Sequence, residues 1–269
     1  MKVLIVFAHP EPQSLDGSLL RTTVDELEAQ GHEVKVSDLY AMQWKAQVDR
    51  ADFPTLPADA RLRVAAASGM ATQSGTLTED VKREQEKLLW SDFVILQFPL
   101  WWYYMPAIMK GWVDRVFSLG FGYGRGPYDE KHHGSRYGEG ILSGRRAMLS
   151  MTVGSMEEHM SARGICGPID DMLFTINHGI LFYTGLEVLP PFVVYRADRL
   201  DDEGFKSVSD ELRQRLRTLA DTKPIAYRSQ NDGDYELPTL LLKPGLEDAS
   251  ASGFSLHVRT DKDASGSGV

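Results

Sequence analysis

From Lys2 to Ala8 the chain is apolar and rich in β-branched residues with no polar alternation, the pattern of a strand covered on both faces. Leu20, Val24 and Leu27 then recur at helical spacing between Ser18 and Ala29, and Gly31 closes that helix. Glu33 to Ser37 reads as a short second strand. Between about 40 and 78, Pro54, Pro57 and many alanines leave no period that places an element. Thr78-Glu79-Asp80 opens a helix to Trp90, with Leu88 and Leu89 on its apolar face. A third strand covers 92–97, and a helix from Ala107 to Phe117 carries Ile108, Trp112, Val113 and Val116 near helical spacing. A glycine-rich loop spans Gly120 to Gly144. Arg146 to Thr152 is a fourth strand, a helix covers about Ile169 to Phe182, Leu186 to Tyr195 is a fifth strand, and Glu203 to Leu219 is a last amphipathic helix.

Strands alternating with helices predict a parallel sheet wound on both faces. The expectation is an α/β, flavodoxin-like, doubly wound five-stranded parallel sheet, with ligands at the carboxyl ends of the strands near the switch point. After Pro224 the pattern lapses, which divides the chain into a flavodoxin-like catalytic domain, 1–224, and a C-terminal extension, 225–269. Phe254 to Val258 offers the extension an apolar anchor, so it is expected to pack across a subunit or lid a pocket. Residues 263–268 are expected to be disordered.

Composition narrows the partners. A formal charge of −9 and a pI near 5.3 exclude a phosphate-backbone binder with a basic face, so no nucleic acid is expected. The longest apolar stretch, Phe93 to Met109, contains Gln97 and two prolines and falls short of the roughly 20 residues of a membrane span. No membrane insertion is expected. A single cysteine, Cys166, gives neither a disulfide framework nor a multi-cysteine metal site, and fits a reducing cytoplasm. His132-His133 with Asp129 and Glu130 lacks ordered ligand spacing and reads as a polar loop, so no metal is expected.

Three loops at strand ends carry the candidate chemistry. After the first strand, His9-Pro10-Glu11-Pro12-Gln13-Ser14-Leu15-Asp16-Gly17-Ser18 offers hydroxyls and backbone N–H groups at a helix start, a seat for a diphosphate. Ser14, Asp16 or Ser18 acting as a plain helix cap is the alternative. The loop is not Gly-x-Gly-x-x-Gly, which excludes the ordinary dinucleotide fingerprint. After the third strand, Trp101-Trp102-Tyr103-Tyr104 sits between Pro99 and Pro106, a shaped aromatic loop suited to a flat conjugated ligand such as a flavin ring. After the fourth, Thr152-Val153-Gly154-Ser155 offers backbone N–H groups for the pyrimidine edge of such a ring.

Gln97-Phe98-Pro99-Leu100-Trp101-Trp102, with Pro106-Ala107-Ile108-Met109-Lys110-Gly111-Trp112-Val113-Asp114-Arg115-Val116-Phe117, resembles the NAD(P)H:quinone oxidoreductase (DT-diaphorase) family. Leu4 to His9, Ser37 to Met42, Glu84 to Leu88 and His178 to Leu181 match it too, and Phe254 to Val258 resembles the C-terminal segment of its longer, FAD-using members. The resemblance implies a homodimer with one FAD per subunit, FMN being the lesser alternative, and an active site at the subunit interface. NAD(P)H would reduce the flavin by hydride transfer and leave, and a quinone would take its place in a ping-pong, two-electron cycle. By position, the resemblance gives His9, Ser14, Leu15 and Asp16 to the diphosphate and adenine side. It gives Leu100, Trp101, Trp102 and Tyr103 to the ring, and Thr152, Val153, Gly154, Ser155 and Met160 to its polar edge. Gly122, Tyr123, Gly124 and Arg125 would meet substrate from the partner subunit.

The chain also departs from that family. Met160 and Cys166 occupy positions where its best-known members carry a tyrosine and a histidine, while Asp16 replaces an asparagine, Val153 a threonine and Ser155 a glycine. An acidic Asp16 beside a diphosphate repels it unless paired or turned away. His159 and Tyr123 are therefore the candidate catalytic side chains, with an exposed loop histidine as the alternative for His159. The departures leave two other functions open: a flavin reductase of a nitro, azo or biosynthetic substrate, and a flavodoxin-like regulatory subunit.

Overall fold

The protein, described here from a computed structural model over residues 1–260, is built on a parallel sheet in the order β2-β1-β3-β4-β5. The strands are β1 (Lys2–Phe7), β2 (Glu33–Asp38), β3 (Phe93–Pro99), β4 (Arg146–Thr152), β5 (Glu187–Val188) and β6 (Phe192–Val194), the last also pairing with β4. This is the order expected of a flavodoxin-like sheet. The helices are α1 (Leu15–Ala29), α2 (Val64–Ser74), α3 (Glu79–Trp90), α4 (Ala107–Val116), α5 (Ile169–Ile176) and α6 (Asp202–Arg217).

Alternation along each strand sorts the apolar residues into two cores, because successive side chains point to opposite faces. Leu4 and Val6 join Val94, Leu96, Ala147 and Leu149 beneath α3, α4 and α5. Val3 and Ile5 join Phe93, Ile95 and Met148 beneath α1 and α6, where Leu19, Leu27, Leu212 and Leu216 meet them. Among the described residues no helix is long and apolar enough to cross a membrane.

Three elements differ from the sequence expectation. The stretch left unplaced contains α2, whose buried residues are Ala67, Ser68 and Ala71, too small to print an apolar stripe. Their smallness lets the helix come close: a side chain on Gly69 would stand 2.7 Å from Leu119. The fifth strand is two pieces, since Pro190 and Pro191 have no N–H for the ladder. The helix expected to 182 leaves α-geometry at Asn177 and finishes as a π-turn to Phe182.

The extension folds onto α5. Tyr227 bridges to Val258, and Tyr235–Glu236 pairs with Leu241–Leu242 as a small hairpin, β7 and β8. Buried Arg228 holds the layers together, reaching Asp234 at 2.9 Å and the carbonyls of Leu246 at 2.6 Å and Leu256 at 3.1 Å. Phe254 stacks on Phe174 at 4.4 Å and continues a column through His178 to Tyr137. The stretch 263–268 lies outside the described residues.

Candidate functional site

The β1–α1 loop is drawn tightly over the helix start. Ser14 is the N-cap, its Oγ accepting from Gly17 N at 3.1 Å. Gly17 is required because a Cβ there would stand 2.1 Å from the Pro12 carbonyl oxygen. The helix's first amides, at Leu15 and Asp16, belong to the turn that has no intrahelical acceptors, the usual seat for an anion. His9 takes the Glu11 N–H on Nδ1 at 3.0 Å and sets its ring 6.0 Å from Trp101.

Asp16 ties three strand ends together. Its Oδ2 accepts from Thr152 Oγ1 at 2.7 Å, and its backbone carbonyl accepts from Gln97 Nε2 at 2.8 Å. Burial pushes its carboxyl above the usual range, against the Thr152 bond and the neighbouring His9, which favour the ionised form. Oδ1 has no hydrogen-bond partner among the described residues. The side chain is thus turned inward and paired, which removes most of the repulsion an acidic residue would exert at this helix start. Gln97, the polar interruption of an otherwise apolar strand, donates its amide N–H to this tie.

The aromatic loop is a tight turn. Trp101 N donates to Tyr104 O at 3.0 Å and Tyr104 N to Trp101 O at 3.1 Å. Trp102 and Tyr103 between them have φ of 50° and 61°, the left-handed region that normally calls for glycine or asparagine. Trp102 is 94% exposed. A strained backbone that lifts a large apolar ring into water is destabilising twice over, and such strain concentrates at binding sites. Leu100 N donates to Thr152 O at 2.8 Å and carries the β3–β4 pairing into the turn.

Beyond β4, Val153 is buried and its amide bonds to Val194 O at 2.8 Å, while Gly154 is exposed and Ser155 half-buried. His159 is exposed, whereas Met160 is buried in the core beneath α5. Cys166 is half-buried, with its Sγ 3.7 Å from Tyr103 Oη, a contact that no sequence pattern announced. The segment Gly122, Tyr123, Gly124 and Arg125 forms a turn of its own: Gly120 N donates to Tyr123 O at 2.7 Å and Arg125 Nη1 to Gly120 O at 2.9 Å. Tyr123 borders a cavity of about 260 Å³ with Ser68, Phe117 and Ser118. Among the described residues no hydrogen bond or ring contact joins this segment to the aromatic turn. One chain therefore brings the loops after β1, β3 and β4 together and leaves the 122–125 segment apart.

A 2-1-3-4-5 parallel sheet with its βα loops gathered at the carboxyl edge defines a flavodoxin-like protein. A family model described as flavodoxin-like fold matches residues 1–217. The chain is 59% identical over 261 residues to a ribosyldihydronicotinamide dehydrogenase-like protein of Penicillium crustosum, covering 97% of each. It is 32% identical over 260 residues to NAD(P)H dehydrogenase [quinone] 1 of Rattus norvegicus, covering 96% of this chain and 92% of that one. A solved Klebsiella pneumoniae structure, provisionally named a quinone reductase, superposes with a TM-score of 0.93 at 53% identity, covering 96% of this chain and 99% of that one. The chain belongs to the flavodoxin-like NAD(P)H:quinone oxidoreductase family.

Proposed function

We propose that this enzyme reduces quinones, or similar flat acceptors, by two electrons from NAD(P)H, using FAD held at the carboxyl edge of the sheet. The observation that carries the reading is the strained turn presenting Trp102 to solvent. The residues fit a flavin: Gly17 lets the β1–α1 loop fold closely against the helix start, where the first amides suit a diphosphate, and Asp16 is turned toward Thr152. His9, Ser14, Leu15 and the Asp16 amide would hold the diphosphate. Leu100, Trp101, Trp102 and Tyr103 would wall the ring, with Thr152, Val153, Gly154 and Ser155 at its polar edge and Met160 supporting them from below. When bound, the flavin would accept hydride from the nicotinamide and pass two electrons to the quinone in a ping-pong cycle. Tyr123, with Gly122, Gly124 and Arg125, would close the site from the second copy of a homodimer. That assignment accounts for the lack, among the described residues, of a hydrogen bond or ring contact between these residues and the aromatic turn within one chain. His159, exposed at the rim, would exchange protons with solvent. The unit 1–224 carries this chemistry and the extension from 225 braces it, in a cytoplasmic protein.

Flavin released by denaturation and separated by chromatography should be FAD, with FMN the competing result. Stopped-flow mixing with NADH or NADPH should then bleach the bound flavin before any quinone is added. Protein that stays colourless after incubation with FAD and FMN would sink the reading. The Penicillium relative's name favours one variant, in which ribosyldihydronicotinamide is the better donor. The same mixing experiment with that donor decides it.

A further inference from the structure

Tyr103 and Cys166 lie 63 positions apart and meet across two loops of the site, phenol Oη to thiol Sγ at 3.7 Å. Sulfur's larger radius makes this a hydrogen bond, with the phenol donating. Among the described residues it is the one side-chain hydrogen bond or ring contact made by the tip of the turn, Trp102 and Tyr103.

Both ends are held in place. Tyr103 sits in the left-handed turn closed by the Trp101–Tyr104 pair of backbone bonds. Cys166 donates its amide to His159 O at 3.0 Å, in a loop folded so tightly that a Cβ on Gly164 would stand 2.1 Å from that same carbonyl oxygen. Tyr103 is 53% exposed and, among the described residues, makes no ring contact, so the thiol supplies the restraint on its angle. The bond to Cys166, reinforced by charge repulsion between the two ionised forms, holds the Tyr103 phenol above its ordinary range.

We propose that Cys166 is a positioning residue for the flavin site, acting through Tyr103, the phenol–thiol bond fixing the angle at which the aromatic turn meets the ring. This rests on the flavin reading given above. It gives the lone cysteine a role that needs no ionised thiol, and it makes the β4–α5 loop part of the ring-binding wall.

The test is a double-mutant cycle on the full chain. Tyr103→Phe and Cys166→Ala should each weaken flavin affinity about fivefold, the size of one modest hydrogen bond. The double variant should be no weaker than either single one, and Cys166→Ser, which keeps an acceptor, should restore binding. The absorption band of the bound flavin should shift alike in the two single variants. Additive losses, or a Cys166→Ser variant as weak as Cys166→Ala, would overturn the proposal. A second readout needs no flavin: the Tyr103 phenol, identified by ultraviolet difference titration against Tyr103→Phe, should titrate lower in Cys166→Ala. An unchanged titration overturns the phenol–thiol bond by itself. A chain that binds no flavin while this titration moves as expected overturns the flavin reading instead.

Discussion

Two of the molecule's groups of aromatic rings are arranged in opposite ways. Under the extension, Tyr137, His178, Phe174 and Phe254 form a column with neighbouring centroids 4.7, 4.4 and 4.4 Å apart and planes within 26° of parallel. At the sheet edge, Trp102 and Tyr103 sit on strained backbone and face water. The first group has its partners inside the protein, so its binding energy is already committed to folding. The second has almost none, and the proposed function gives it the flavin as partner. Aromatic content alone does not distinguish a core from a platform; the number of satisfied ring faces does.

The largest effect that would separate the two groups is on stability. Phe174→Ala should cost about 3 kcal/mol, as removal of a packed ring does, with flavin affinity of the folded protein unchanged. Urea denaturation and a flavin titration on the same preparation check both halves. A pH effect comes next. Burial, helped by His257, pushes the His178 imidazole down to about 4 from 6.5, so the folded protein keeps it neutral. Between those values the unfolded chain takes up a proton that the folded chain refuses. The column's stability is therefore complete above pH 6.5 and lost as pH falls toward 4. His178→Phe should flatten that part of the profile.

At the platform the expected pattern reverses. Trp102→Ala should weaken flavin binding about tenfold, or 1.4 kcal/mol, while leaving stability within about 0.5 kcal/mol. Unchanged affinity would show that the turn was assigned wrongly. The smallest effect is Trp102→Gly, which relieves the left-handed backbone and should raise the unfolding free energy by about 1 kcal/mol while losing the ring.

Most of the fold was legible because its central strands are continuous apolar runs and its longer helices keep an apolar stripe. Lys2 to Phe7 and Arg146 to Thr152 needed no other signal. The failures have physical causes. Ala67, Ser68 and Ala71 bury α2 without apolar bulk, and Pro190-Pro191 splits a strand that hydropathy alone joins. In the candidate site, the three strand-end loops could be placed from order alone, because a parallel sheet puts all its βα loops at one edge. The inward turn of Asp16 toward Thr152, 136 residues away, depends on register across three strands and was not readable. Nor was the column, whose rings are contributed from Tyr137 to Phe254.

The proline pair has a consequence for how the protein behaves in a crowded solution. The outermost strand of an open sheet is a template on which another chain can add itself, the first step toward a fibre. Here that strand is cut to Glu187–Val188 and Phe192–Val194 by two residues that cannot donate, and the Val188 carbonyl is already taken by Ile225 N at 2.7 Å. What looks like a defect in the ladder leaves too little continuous edge for a stranger to pair with. The same interruption that a hydropathy reading passes over, joining the two pieces into one strand, limits self-association along that side.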